Sequence, residues 1–235
     1  MEHDIVVHAW IDIACPWSWI GKHRLEKGIE LSGKRVAVEF HSFQLAPDAP
    51  TAPHGSAVEN LSQAQGASAA EATETLHQIT ELAAGEGLEI NFDLVQEVNA
   101  FLAHQLVYAA KATGDTPLAA AIAGAEMFEA LFRAHFTAGR NIADPATLVE
   151  IAEEFGLDAD ITADVLESGE YADEVRGDIR DAATLEITGV PFFVVGGRFG
   201  LSGAQPPEVF AQTINRALAE MKEAQAAPGI IRREI

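Results

Sequence analysis

Sulfur and positive charge are scarce in this chain. Of its 235 residues one is cysteine, Cys15, and three are methionine. A single cysteine cannot close an internal disulfide, which excludes a small scaffold held together by cross-links. Lys and Arg number 15 against 36 Asp and Glu, so the formal net charge is -21. A surface of that sign repels phosphate backbones and anionic headgroups, and neither nucleic acid nor a membrane is expected as a partner. No apolar run approaches the roughly 20 residues that a membrane-spanning helix needs. The opening MEHDIVVHAW has no basic segment leading into an apolar stretch, so no signal peptide is expected and the expected location is cytoplasmic. A glycine-rich phosphate loop is missing too, since VVGGRFG reads better as a hairpin turn. The eight histidines (3, 8, 23, 41, 54, 77, 104, 135) show no ligand spacing with Cys15, and no metal is expected.

What is present is enough apolar material for a sizeable core, at 48% of residues. DIVVHAWID (4–12) is apolar at both alternating sets of positions and predicts a strand buried on both faces. Pro16 suits a first helical turn, Gly21, Leu25, Gly28 and Ile29 follow at helical spacing, and Gly33 predicts the stop. RVAVEFHSF (35–43) predicts a second strand. Residues 45–68, rich in Pro, Ala, Ser and Gly, predict a long loop. A helical block then runs to about 187, with Thr116-Pro117 and Asp144-Pro145 as N-cap and N1 pairs. VPFFVVGGRFGL (190–201) predicts a two-residue hairpin around Gly196-Gly197, and QPPEVFAQTINRALAEMKEA a last helix. The order β-α-β, helices, β-β-α is that of an α/β thioredoxin-like fold with a large all-helical insertion between its βαβ and ββα halves. The expected division is 1–44 with 188–224 as the thioredoxin-like domain, 45–187 as the loop and helical insertion, and 225–235 as a tail.

The chemistry centres on Cys15-Pro16-Trp17-Ser18. The thiolate, not the thiol, attacks sulfur, and a free cysteine ionises near ~8.5. Placement at a helix N-terminus favours the anion through unpaired N–H groups and the helix dipole. The Ser18 hydroxyl, one turn on, is positioned to donate to that sulfur. Lys22, Arg24, Lys27, Lys34 and Arg35 form a local basic cluster, read either as support for an anion or as the solvated face of a helix. Val190-Pro191 stands directly before a strand, where a proline removes no ladder bond.

The segments CPWSWIGKHRLE, NAFLAHQL, ALFRAHFTAGRNIAD and GVPFFVVGGRFGLSGAQPPEVF together resemble the DsbA family of thioredoxin-like proteins, and specifically its FrnE-like cytoplasmic branch. The resemblance spans about Ile5 to Ala219 and implies thiol–disulfide oxidoreductase activity. It puts the nucleophilic cysteine on Cys15, the intervening dipeptide on Pro16 and Trp17, and a cis-proline on Pro191. The preceding Val190 backbone would then meet a peptide-like substrate. It also matches Asn99 and His104 to residues near the active-site groove, of which helical periodicity lets at most one face the site. Ser18 departs from the pattern, because dithiol members carry a resolving cysteine there. No bound cofactor is implied; glutathione or another low-molecular-weight thiol would act as co-substrate, and a disulfide- or thiol-containing protein or small molecule as substrate. Three readings follow: a monothiol oxidoreductase, a glutathione-dependent isomerase or transferase similar to 2-hydroxychromene-2-carboxylate isomerase and kappa-class glutathione transferase, or a non-catalytic peptide-binding protein. Ala-rich helices leave a homodimer open.

Overall fold

The structure, a computed structural model, describes residues 3–226. β-branched and aromatic residues form two parallel strands, β1 (Ile5–Ile11) and β2 (Val36–Ser42), joined by helix α1 (Pro16–Ser32). Gly33 closes α1 at φ 63°, a left-handed conformation that a side chain disfavours. The helical block follows as α2 (Ala57–Gln65), α3 (Ala69–Gly85), α4 (Phe101–Lys111), α5 (Pro117–Phe132), α6 (Pro145–Phe155), α7 (Ala159–Ser168) and α8 (Ala172–Thr184). The chain then returns through β3 (Phe192–Val195), β4 (Phe199–Ser202) and α9 (Pro207–Ala226). Among the described residues the strands form one sheet in the order β2-β1-β3-β4, with β3 antiparallel to both neighbours. No helix among the described residues is long and apolar enough to cross a membrane. The tail expected from 225 onward lies, beyond Ala226, outside the described residues.

Two local expectations change. The segment 45–68 is not loop throughout: Ser56 and Glu59 make a capping box that starts α2, and Gly66 ends it at φ 64°. Turn-forming composition concealed a helix with a strong start signal. In the hairpin, three residues (196–198) rather than two separate the paired Val195 and Phe199. The expected turn sits inside that connection: Gly196 and Gly197 lie at φ 59° and 66°, and the Arg198 N–H donates to the Val195 carbonyl. Thr116 and Asp144 cap α5 and α6 as their sequences predict.

One sheet face, carrying Ile5, Val7, Ala9, Ile11, Phe40, Phe193 and Val195, is buried in the main core. The other is only partly covered. Trp10 packs with Ala182 of α8 and with Ile187, while Val6 and His8 stay half-buried. Helix α1 is held against α9 at Gly28, where an added Cβ would stand 2.5 Å from Phe210 Cβ and 2.8 Å from the Pro207 carbonyl. Against α5 it inserts Trp19, which stacks on Phe132 and Phe136.

The basic cluster of α1 serves this packing. Lys22 is buried and pairs with Glu26 (2.7 Å) and Glu129 of α5 (3.1 Å), and Arg24 and Lys27 both pair with Glu86 after α3. Arg35 pairs with Asp4. Glu129 also accepts from Trp19 Nε1 and contacts His23 and Arg133. Burial alone would raise its pKa, but hydrogen bonds from His23 and the Lys22 charge overcome this and hold it at about 2. A depressed carboxylate contributes stability that is present above its unfolded pKa and is lost as pH falls through its folded pKa. Glu129→Gln is therefore expected to cost about 1–3 kcal/mol near pH 7, by weakening charged hydrogen bonds. Chemical denaturation of both chains should show the difference shrinking from the ordinary glutamate range down towards pH 2. A gap independent of pH would refute the assignment.

Candidate active site

Cys15 is the N-cap of α1, with extended backbone (φ -105°, ψ 113°), and Pro16 fills the first helical position. The short connection from β1 is fixed by hydrogen bonds. The Cys15 N–H donates to the Asp12 carbonyl (3.0 Å), and the Ser18 N–H donates to the Cys15 carbonyl (3.0 Å). Across from this turn the Val190–Pro191 peptide bond is cis. The Cys15 thiol donates to the Val190 carbonyl at 3.7 Å, so sulfur and pre-proline backbone are in contact. Gly21 lets the two elements close up: a Cβ there would stand 2.7 Å from Pro191 Cγ.

The electrostatics run against simple activation. Cys15 is 3% exposed. Burial, and second the negative charge of Asp12, push its pKa up to about 11; the Ser18 backbone and hydroxyl and the Trp17 N–H act in the opposite sense and do not prevail. The helix N-terminus expected to favour an anion is present, but desolvation outweighs it, and the resting group is a thiol. Among the principal influences on Cys15 none is a basic residue of α1. Their ammonium and guanidinium groups are engaged in the ion pairs described above.

The remaining site residues separate. Ser18 is fully buried and accepts from the Asp12 N–H at 3.2 Å, so its oxygen braces the turn from within. Trp17 is partly buried beside it. Asn99 precedes α4 instead of lying on it, so the helical-face comparison with His104 does not apply. Its amide donates to the Pro47 and Ala49 carbonyls and its oxygen accepts from Gln44 and the Phe101 N–H. Asn99 therefore pins the loop after β2 and lines, with Gln44, Pro47 and Arg176, a cavity of about 490 Å³ that does not include Cys15. His104 is fully buried, with Nε2 3.3 Å from Asp12 Oδ1, and reaches the site through that carboxylate.

Asp12 and His135 are the residues that sequence reasoning missed. Asp12 is 2% exposed; Oδ1 accepts from the Ala14 N–H (3.0 Å) and Oδ2 from the Leu45 N–H (2.7 Å). An acidic residue between Ile11 and Ile13 was the available signal. His135 lies in a π-helical turn (Arg133–Thr137) that continues α5, and it is buried there. Neither ring nitrogen has a partner among the described residues. Burial lowers its pKa to about 4 against the opposing charge of Asp12, so His135 is neutral near pH 7. Elsewhere His8, Glu39 and His41 bring possible metal-ligand atoms within 4.8 Å of one another.

If Asp12 raises the Cys15 pKa, Asp12→Asn should lower it while keeping an acceptor for the Ala14 N–H. Cys15 alkylation at pH 8 should then accelerate, by roughly tenfold per pKa unit relieved. An unchanged or slower rate in a folded variant would assign the raised pKa to burial alone.

A family model described as a DSBA-like thioredoxin domain matches residues 6–215. The chain is 30% identical over 211 residues to the uncharacterized protein YwbO of Bacillus subtilis, covering 89% of this chain and 95% of that one. The structure of a probable DsbA oxidoreductase from Streptomyces coelicolor is similar at a TM-score of 0.84 and 36% identity, over 92% of this chain and 91% of that one. A 2-hydroxychromene-2-carboxylate isomerase shares the fold, with a TM-score of 0.67 at 15% identity over 95% of this chain and 100% of the other.

Proposed function

This chain belongs to the DsbA-like thioredoxin family, and from that premise we propose that it performs thiol–disulfide exchange through Cys15 alone, with an external thiol completing the cycle. The observation that carries this reading is the placement of Cys15 Sγ at the start of α1, 3.7 Å from the carbonyl of the residue before cis-Pro191. A disulfide entering here meets the sulfur and a backbone edge together. The motifs CPWSWIGKHRLE and GVPFFVVGGRFGLSGAQPPEVF support the FrnE-like branch.

In the first step the Cys15 thiol gives its proton to solvent and the thiolate attacks one sulfur of the substrate disulfide. A Cys15–substrate disulfide forms, and the other substrate sulfur leaves as a thiolate and takes up a proton. In the second step the thiolate of glutathione or a similar small thiol attacks the substrate sulfur of the mixed disulfide. Cys15 is released, and a new disulfide joins substrate to small thiol. The cycle uses no second protein sulfur, and it requires a compartment supplied with reduced thiol, in keeping with a cytoplasmic setting.

Ser18 as a glutathione-activating hydroxyl has little support, because its oxygen is sealed inside the turn. One observation favours a second reading, peptide capture without turnover: the resting thiol is buried, with a pKa near 11.

Incubation with oxidised glutathione, followed by native mass spectrometry, distinguishes the two. Exchange predicts one glutathione adduct, absent in Cys15→Ser, forming about tenfold faster per pH unit between 7 and 9 as the thiolate fraction grows. No adduct at pH 9 in the folded chain would sink the exchange mechanism and leave peptide capture. Ser18→Cys supplies the sulfur that dithiol relatives carry. It is expected to stop the adduct accumulating and to form an internal disulfide with Cys15, read as loss of both free thiols. Persistence of the adduct would show that the new sulfur cannot reach it.

A further inference from the structure

His8 and His41 are 33 residues apart, and only the parallel register of β1 and β2 joins them. It pairs His8 with Glu39 and Trp10 with His41. Side chains alternate between faces along a strand, so these four project from the partly covered side, opposite the main core. His8 Nδ1 lies 3.0 Å from His41 Nε2 and 3.2 Å from Glu39 Oε2. Separations of this size are those of ligands around one ion, since bonds of about 2.0–2.1 Å at tetrahedral angles put neighbouring ligand atoms roughly 3.3 Å apart.

A second observation is the support behind His41. Its other nitrogen, Nδ1, lies 2.8 Å from Asp178 Oδ1. Asp178 is buried, and Oδ2 accepts from the Ser42 N–H (2.7 Å) and the Tyr108 hydroxyl (2.6 Å). A carboxylate so engaged fixes the Nδ1 edge of the ring and turns Nε2 towards His8 and Glu39, the arrangement found behind metal-ligating imidazoles. Trp10 stacks on the His41 ring at 4.6 Å and donates from Nε1 to the Asp178 carbonyl, so the ring cannot easily turn. On the outer side His8 and Glu39 are 36% and 51% exposed, which opens a path from solvent. Lys111 acts on Asp178 and Glu39 from nearby, but its Nζ is held by the Phe40 carbonyl at 2.7 Å.

We propose that His8, Glu39 and His41 form a binding site for a divalent d-block cation such as zinc, with Asp178 orienting His41 and a fourth position open to water. Two imidazoles and a carboxylate match the preferences of zinc, cobalt, nickel and copper better than those of calcium or magnesium. A bound ion would tie β1 to β2 and, through Asp178, to α8.

The test uses the untagged, EDTA-treated full chain, titrated with Co²⁺ and followed by visible absorption, then displaced with Zn²⁺. One equivalent with four-coordinate cobalt bands is expected. His8→Ala and Glu39→Gln, both changes at partly exposed positions, should each weaken binding at least tenfold; His41→Ala should abolish it. Cys15→Ser and His77→Ala should bind as the parent does, His77 with Glu81 being an exposed surface pair. Circular dichroism of each variant separates loss of site from loss of fold. Absence of stoichiometric uptake overturns the proposal. So does uptake that survives His8→Ala, or that disappears in Cys15→Ser or His77→Ala.

Discussion

The carboxylate of Asp12 is the fixed point around which the active end of this molecule is built. A buried charge is tolerated only when its lone pairs are met, and these are met from several directions: by the Ala14 N–H in the turn, by the Leu45 N–H beyond β2, and by His104 from α4. The backbone of the same residue holds Cys15 through its carbonyl and Ser18 through its N–H. One residue thus joins the end of β1, the start of α1 and the helical block. The position of the sulfur is set by that junction.

The same constraint sets the chemistry. A carboxylate close enough to organise the turn is close enough to oppose ionisation of the thiol, and the closed packing that buries Asp12 also buries Cys15. The helix terminus and the Ser18 hydroxyl pull the other way with less effect. A site arranged like this holds its sulfur in reserve as a thiol against the Val190 carbonyl. In the exchange proposed above, a substrate would have to displace that contact.

Helix α1 is the element that both halves of the fold grip. Gly21 allows contact with Pro191, Gly28 allows contact with α9, and Trp19, Lys22 and Arg24 reach into the helical insertion. The insertion therefore holds the helix that begins at Cys15. On the far face of the sheet it contributes Asp178 and Tyr108, which organise His41.

Much of this was legible in the chain. Period-two and helical spacing located the strands and most helices, Pro16, Thr116 and Asp144 marked helix starts, and Cys15-Pro16 marked the strand-to-helix junction. Those signals are local, because backbone conformation and capping involve neighbours within a few residues. The helix α2 was hidden by turn-rich composition, although its capping box was there to be read. Asn99 stands before α4 and holds the loop at 47–49, at a distance in sequence that no periodicity encodes. What only the tertiary structure decided is the sign of the shift at Cys15, the roles of the basic residues of α1, and the meeting of His8 with His41. Each depends on desolvation and on charges brought close from distant parts of the chain, and electrostatic free energy is a property of that assembled surrounding, not of a motif.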